Sequence, residues 1–427
     1  MTVDIYIKNA SQLVAPIDTG FVSDSNSDLR GLLVLEDGAV AIREGSIVAI
    51  GKTTDLDKTV ECDENTEVIF AHNKTVLPGF IDAHTHPVFA GTRENEFEMR
   101  VQGKSYQEIA EAGGGIRSSV RHLRDASREE LIEAALPRLD RFLANGTTTI
   151  EAKSGYGLTV QDELKMLEVI KELNFNHPIE LIPTLLGAHE IPDEYREKRN
   201  EYLDLICEEM IPQAAENELA LFCDVFCEEG VFTIEEARRV LETGLKYGLQ
   251  PKIHADQLTD GKGALLAAEV GAISADHLDY SNSDSIAAMA QKGVVPVLLP
   301  GAVFFLGLSR FAPAREMIAA GLPVALATDY NPGTCMSESL PLIMTIACIY
   351  MKMTPAETLL AATKNAALAI GCSQLYGNLN VGSQADCVVW DCPNYRHLTY
   401  HFGVELVEVV IKNGRVVWRR SSNEKND

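Results

Sequence analysis

The chain has 427 residues, 46% of them hydrophobic and 23% charged, a composition too apolar for disorder and too long for one minimal domain. Its 37 Lys and Arg against 62 Asp and Glu leave a net charge of −25, which argues against nucleic acid or an anionic membrane as a partner. A small anionic substrate is compatible with that balance only if a local cation holds it.

The opening MTVDIYIKNASQ has neither a basic nor an apolar leader segment, so no secretory signal is expected. Residues 1–75 then offer short strands at Asp4–Ile7, Ala39–Arg43, Ser46–Ile50 and Glu67–Phe70, with the turn pair Glu44-Gly45 between two of them. From 76 to 372, apolar β-branched runs alternate with helical patterns. The strand candidates there are Val76–His84, Thr147–Ala152, Ile179–Leu185, Ala220–Phe226, Gln250–His254, Ala272–Asp276, Val294–Leu299 and Pro323–Ala327. Helix starts are marked by Ser127 with Glu130, Thr233 with Glu236, and Thr354 with Pro355 and Glu357, and Gly248 can end the helix after Thr233. Eight strands alternating with helices predict an α/β fold, a TIM-like (β/α)8 barrel over 76–372. A doubly wound sheet is the weaker rival, because no glycine-rich dinucleotide fingerprint follows the first strand.

Residues 373–420 return to short strands at Asp386–Trp390, Glu405–Lys412 and Arg415–Trp418, with the hairpin pair Asn413-Gly414. Together with 1–75 they predict one small discontinuous β-sandwich built from both termini, and the tail 421–427 is expected to be disordered. The long apolar run Gly293–Leu308 contains Pro296, Pro300, Gly301 and Gly307, which suit a buried strand and a following loop better than a membrane helix. Nine scattered cysteines, Cys223 and Cys227 among them, read as reduced buried thiols of a cytoplasmic protein.

The strongest chemical signal is His84-Thr85-His86, closing the first barrel strand. Residues i and i+2 of a strand share a face, so both imidazoles can reach one ion. By itself the pair could be two hydrogen-bonded strand-end histidines, but barrel active sites lie at this end of the strands. His254 ends the fifth strand and Asp329 the eighth. Three histidines and a carboxylate converging on one rim make a site for one divalent transition metal, zinc or iron by donor type. His277, ending the sixth strand, is placed to act beside that set. The fourth strand ends FCDVFCEEG without a lysine that could bridge a second metal, and Lys153 follows the second strand, the wrong place for such a bridge.

HTHPVFAGTRENEFEMR, AGGGIRSSV, TTTIEAKSGYGL, LGAHEIP, KIHADQ, SADHLD and ATDYNPGT span essentially the whole barrel. With these motifs the chain resembles the amidohydrolase superfamily in its mononuclear form, and within it the imidazolonepropionase family of histidine degradation. The resemblance implies hydrolysis of the ring amide of 4-imidazolone-5-propanoate to N-formimino-L-glutamate. It implies metal ligation by His84, His86, His254 and Asp329, with Asp329 and His277 as the catalytic pair. It also implies that Arg93 clamps the propionate, that Tyr156, His189, Asn331, Gly333 and Thr334 contact the substrate, and that the protein is a homodimer. Where some relatives carry Glu three residues after the fifth-strand histidine, this chain has Gln257. An amide cannot shuttle a proton, so Gln257 is expected to bind the ring while Asp329 and His277 do the acid–base work.

Each of these residues also has a plainer reading. Arg93 could be a solvated loop arginine, Tyr156 and His189 structural side chains, and Asn331 to Thr334 a tight Asn-Pro-Gly turn. Gly113–Gly115 could offer backbone N–H groups to an anion or form a lid. Another cyclic amidohydrolase or a deaminase of the same superfamily is the alternative activity. A non-catalytic scaffold is disfavoured because all four ligands are present.

Overall fold

The computed structural model describes residues 1–17, 27–28, 31–104, 108 and 113–421. Apart from Ser421, the expected disordered tail lies outside the described residues. The chain packs as two compact units, one of Met1–Ala83, Asp140–Thr149 and Ser339–Asp427, the other of His84–Leu139 and Ile150–Glu338.

In the first unit, a four-stranded sheet orders Ser46–Lys52, Gly38–Arg43, Ile5–Ala10 and Glu67–Phe70. A seven-stranded sheet includes Gln12–Pro16, Thr75–Pro78, Cys387–Trp390, Val407–Lys412 and Arg415–Arg419. Period-two alternation places Ile5, Ile7, Leu13, Val40, Val389 and Val409 in one shared apolar cluster, the sandwich core. Both expected hairpin turns form as the residues require. Glu44 and Gly45 have φ of 50° and 77°, and Asn413 and Gly414 have 51° and 69°, the left-handed pair that Asn-Gly adopts at little cost.

The eight barrel strands, in sheet order, are Phe80–Thr85, Thr147–Lys153, Glu180–Ala188, Phe222–Cys227, Gln250–Ala255, Ser274–His277, Val295–Leu298 and Ala325–Leu326. Past the short eighth strand, the backbone N–H of Asp329 donates to the carbonyl of His84 (3.1 Å) and that of His86 to the carbonyl of Tyr330 (2.9 Å). These two bonds bring the first and eighth strands together at the rim. All three expected helix starts carry reciprocal caps. Thr233 pairs with Glu236, Thr354 with Glu357, and Ser127 accepts from Glu130 N–H while Glu130 accepts from Ser127 N–H.

Two elements differ from expectation. The run Val76–His84 is two strands, split at Gly79, where an added Cβ would lie 2.2 Å from Thr148 Oγ1. Only the second belongs to the barrel. The apolar run after Val294 continues from its strand into a short helix, Pro300–Phe305, instead of a loop; proline's fixed φ and missing N–H suit that first turn. Among the described residues no helix is long and apolar enough to cross a membrane.

Candidate metal centre

All the residues of this site belong to the second unit. Its nucleus is His84, which is fully buried. Its Nδ1 lies 2.6 Å from Asp276 Oδ2, while its buried Nε2 has no hydrogen-bond partner among the described residues. A buried imidazole nitrogen left in that state is costly unless something binds it. That nitrogen is 3.5 Å from Asp329 Oδ1, and His86 Nε2 is 3.8 Å from the same oxygen.

Donor atoms of His84, His86 and Asp329 fall within 4.8 Å of one another, as do those of His84, His254 and His277. The four ligands expected from the sequence therefore gather around His84, and His277 stands as close as they do. The ring of His84 lies 4.5 Å from that of His254 and 5.5 Å from that of His277. Burial, with Lys153 and neighbouring histidines adding to it, holds His84 well below the ordinary imidazole range. Burial, then the neighbouring histidines, does the same for His86 and His277. These rings are therefore neutral at pH 7, the form that ligates metal.

Asp329 is the opposite case. Burial pushes its carboxyl up to about 7, against the pull of His254 and of hydrogen bonds from Thr334 and Asn331. The following loop fixes it. Thr334 Oγ1 donates to Asp329 Oδ2 (3.2 Å), and Asn331 Nδ2 donates to the Asp329 carbonyl (2.6 Å) and to Thr334 Oγ1 (2.7 Å). Asn331 Oδ1 in turn accepts the N–H groups of Gly333 and Thr334. Asp329 and His277 both sit at positive φ, 54° and 76°, backbone states uncommon outside glycine that recur where a side chain is held for function.

The rest of the wall is aromatic and cationic. His189 stacks 5.3 Å from His86, and Tyr156 lies 5.7 Å from His86 and 5.6 Å from His189. His189 Nδ1 is 2.9 Å from the Gly155 carbonyl; a Cβ on Gly155, at φ 109°, would meet that nitrogen at 2.8 Å. Burial lowers His189 to about 4. Burial and Asp329 raise the Tyr156 phenol, with Arg93 opposing them, so Tyr156 feels both groups. Arg93 stands at the residue before the helix Glu94–Val101 and donates Nε and Nη2 to Glu96 Oε2 at 2.9 and 2.7 Å. Its Nη1 rests against Gly333, where any Cβ would come within 2.2 Å. Gly115 N–H donates to Glu96 Oε1, so one glycine amide of the GGG segment is committed to the protein itself. Gln257 is half-buried in the turn after the fifth strand.

Sequence reasoning passed over the layer beneath the donors. Glu151, Lys153, Asp224, Lys252 and Asp276 are all buried on barrel strands. Asp224 Oδ2 lies 3.1 Å from His254 Nδ1 and 2.7 Å from Lys153 Nζ. The signal was present: charged side chains at inward positions of otherwise apolar strands, two residues from a donor in Lys252 and His254. With all groups ionised, the carboxylates of Glu151, Asp224, Asp276 and Asp329, with Asp82 also buried on the first barrel strand, outnumber the two lysines. A divalent cation fits that deficit, the neutral rings and the unpartnered His84 nitrogen.

A parallel (β/α)8 barrel with a histidine–aspartate cluster at the strand ends defines the class of metal-dependent hydrolases built on this fold. The amidohydrolase family model matches residues 75–417. The chain is 48% identical over 422 residues to the imidazolonepropionase of Brevibacillus brevis, covering 98% of each chain. It is 49% identical over 418 residues to that of Geobacillus kaustophilus, covering 97% of each. An adenosine deaminase structure from Xanthomonas campestris with bound zinc shares the fold, at a TM-score of 0.71 and 20% identity over 97% of this chain and 93% of the other. The chain belongs to the amidohydrolase family and, within it, to the imidazolonepropionases.

Proposed function

We propose that the protein hydrolyses the ring amide of 4-imidazolone-5-propanoate to N-formimino-L-glutamate, the step of histidine degradation that its relatives' name denotes. The observation that carries this reading is the pairing of a His/Asp donor cluster with a seated guanidinium, Arg93, in one barrel mouth. His84, His86, His254 and Asp329 hold one divalent metal, zinc or iron by donor type. Bound there, the ion supplies Lewis-acid polarisation and a nucleophile at neutral pH.

Water adds to the ring carbonyl carbon, the ring C–N bond breaks, and the departing nitrogen takes a proton. Asp329, gripped by Thr334 and Asn331, accepts the proton from water and passes it to that nitrogen. His277 stabilises the charge that develops on the carbonyl oxygen. Arg93, a planar fork already fixed by Glu96 and Gly333, binds the propionate of this small anionic substrate. Tyr156 and His189 pack the ring, and Gln257 offers it an amide. Nine free thiols, most of them buried, support a reducing cytoplasmic setting.

The test is metal content together with ring opening of freshly generated substrate, for the wild type and Arg93→Ala. About one metal per chain with turnover is expected. Metal without ring opening would direct the assignment to another cyclic amidohydrolase or a deaminase.

A further inference from the structure

Lys153, set aside in the sequence as misplaced, is the last residue of the second barrel strand and is completely buried. Its ammonium donates to Glu151 Oε1 at 2.8 Å and to Asp224 Oδ2 at 2.7 Å, and lies 3.6 Å from Asp276 Oδ2. Those last two oxygens have a second neighbour each. Asp276 Oδ2 shares a hydrogen bond with His84 Nδ1 at 2.6 Å, while Asp224 Oδ2 lies 3.1 Å from His254 Nδ1 without the alignment of a hydrogen bond. One cation thus sits between the two carboxylates that meet the far nitrogens of two candidate metal-binding rings. Glu151 steadies the cation from the third side and is itself hydrogen-bonded by Thr184 Oγ1 (2.5 Å).

We infer that Lys153 is a positioning residue for the metal centre: it fixes Asp276, which sets the tautomer and ring angle of His84, and Asp224, whose charge faces the Nδ1 side of His254. The inference rests on the metal reading above. The carboxylate behind a ligating imidazole holds the ring's N–H toward itself and so turns the other nitrogen to the ion. Two such carboxylates side by side in a dry barrel repel one another, and each would swing away without the shared ammonium. Lysine suits the position because three donors on one point charge can serve three carboxylate neighbours at once. Simple electrostatics predicts the reverse of a positioning role, since deleting a cation beside the donors lets a dication bind more tightly.

The experiment measures zinc affinity by chelator competition, with the wild type, Lys153→Met and Lys153→Arg, alongside the melting temperature of each with and without zinc. Positioning predicts that Lys153→Met weakens zinc binding about 10–100-fold. It also predicts that Lys153→Arg recovers part of the loss, and that the zinc-saturated Met variant loses kcat while keeping its KM. Unchanged or tighter zinc binding by Lys153→Met, with equal losses of melting temperature in both forms, overturns the inference and makes Lys153 a structural cation. If Lys153→Met does not fold, Asp276→Asn cuts the same chain at its His84 end; full zinc affinity there overturns the inference equally. A wild type that binds no zinc overturns the metal reading beneath it.

Discussion

In the sandwich unit the core is Ile, Val, Leu and Ala, and a buried lysine such as Lys412 is matched directly by Asp386 at 2.6 Å. Inside the barrel, by contrast, the strands carry Lys153 and Lys252 among Glu151, Asp224 and Asp276, beneath the histidines of the metal site. An apolar core stabilises in proportion to the area it removes from water and asks little of any one side chain. A buried ionic cluster gives weak or no net stability against an apolar replacement of the same size, yet costs about 3–5 kcal/mol when one partner is cut away. Charges in the barrel are therefore hard to explain as stabilisers and easy to explain as holders of donor atoms. The contrast assigns stability to the first interior and chemistry to the second.

The sharpest way to break that contrast is at His84, the donor common to both clusters. His84→Ala should leave the fold intact by circular dichroism, strip the bound metal, and reduce turnover by about 10³-fold or more. Full metal content in that variant would mean the cluster is a packing device after all. Next in size is Arg93→Ala. Hydrogen bonds to charged groups are worth about 1.5–3 kcal/mol, so KM for the propionate substrate should rise about 10–100-fold. Metal content should stay at the wild-type level. An analogue lacking the carboxylate should be indifferent to the substitution; equal losses for both would deny Arg93 its role as clamp.

Much of this was legible before any coordinates. Eight apolar runs, three capping patterns and two Asn-Gly or Glu-Gly turns carry local rules strong enough to survive packing, and HxH at a strand end carries its own geometry. The split at Gly79 was not legible, because Val76 to His84 reads as one mostly apolar run, and the strand partner that takes Thr75–Pro78 into another sheet, Cys387–Trp390, is far away in sequence. Nor did sequence show that Asn331 and Thr334 bind Asp329, since an Asn-Pro-Gly turn looks the same whether it faces substrate or its own neighbour. The carboxylates behind the rings were missed for another reason. Asp224 and Asp276 sit inside hydrophobic runs, where a strand's apolar character draws the eye away from its inward charge. Counting charges on the donor face of each strand would have found them.

A smaller effect sharpens the comparison through pH. Burial keeps the Asp329 carboxyl protonated up to about 7 in the metal-free protein, whereas a metal needs it ionised. Below that pH each binding event must expel a proton, so zinc affinity should fall about tenfold per pH unit and level off above it. His84 and His86, already neutral well below the ordinary imidazole range, add no competing proton in the same window. The sign for stability is opposite. A carboxyl whose folded pKa is raised favours the fold fully below its ordinary value of 3.8, and that contribution is lost as pH rises through about 7. Chelator competition and melting curves from pH 5 to 9 would check both slopes, and a flat zinc affinity would contradict the burial of an ionisable ligand.

The least disruptive test lies in the sandwich. Ile7 is fully buried in the apolar cluster beside Val40 and Ile69, and Ile7→Val removes one methylene without adding a polar atom. Transfer and cavity terms together put the cost at about 0.5–1.5 kcal/mol. That should appear as a lower denaturant midpoint at unchanged slope, since the surface exposed on unfolding barely changes. Zinc affinity, kcat and KM should stay at wild-type values, because no donor, carboxylate or guanidinium depends on that methyl. In the barrel the deletion of Lys153 is expected to do the converse, moving metal affinity more than the unfolding of the metal-free chain. If Ile7→Val instead weakened zinc binding, the site would depend on the apolar core as well as on its own matched charges, and the division of labour between the two interiors would fail.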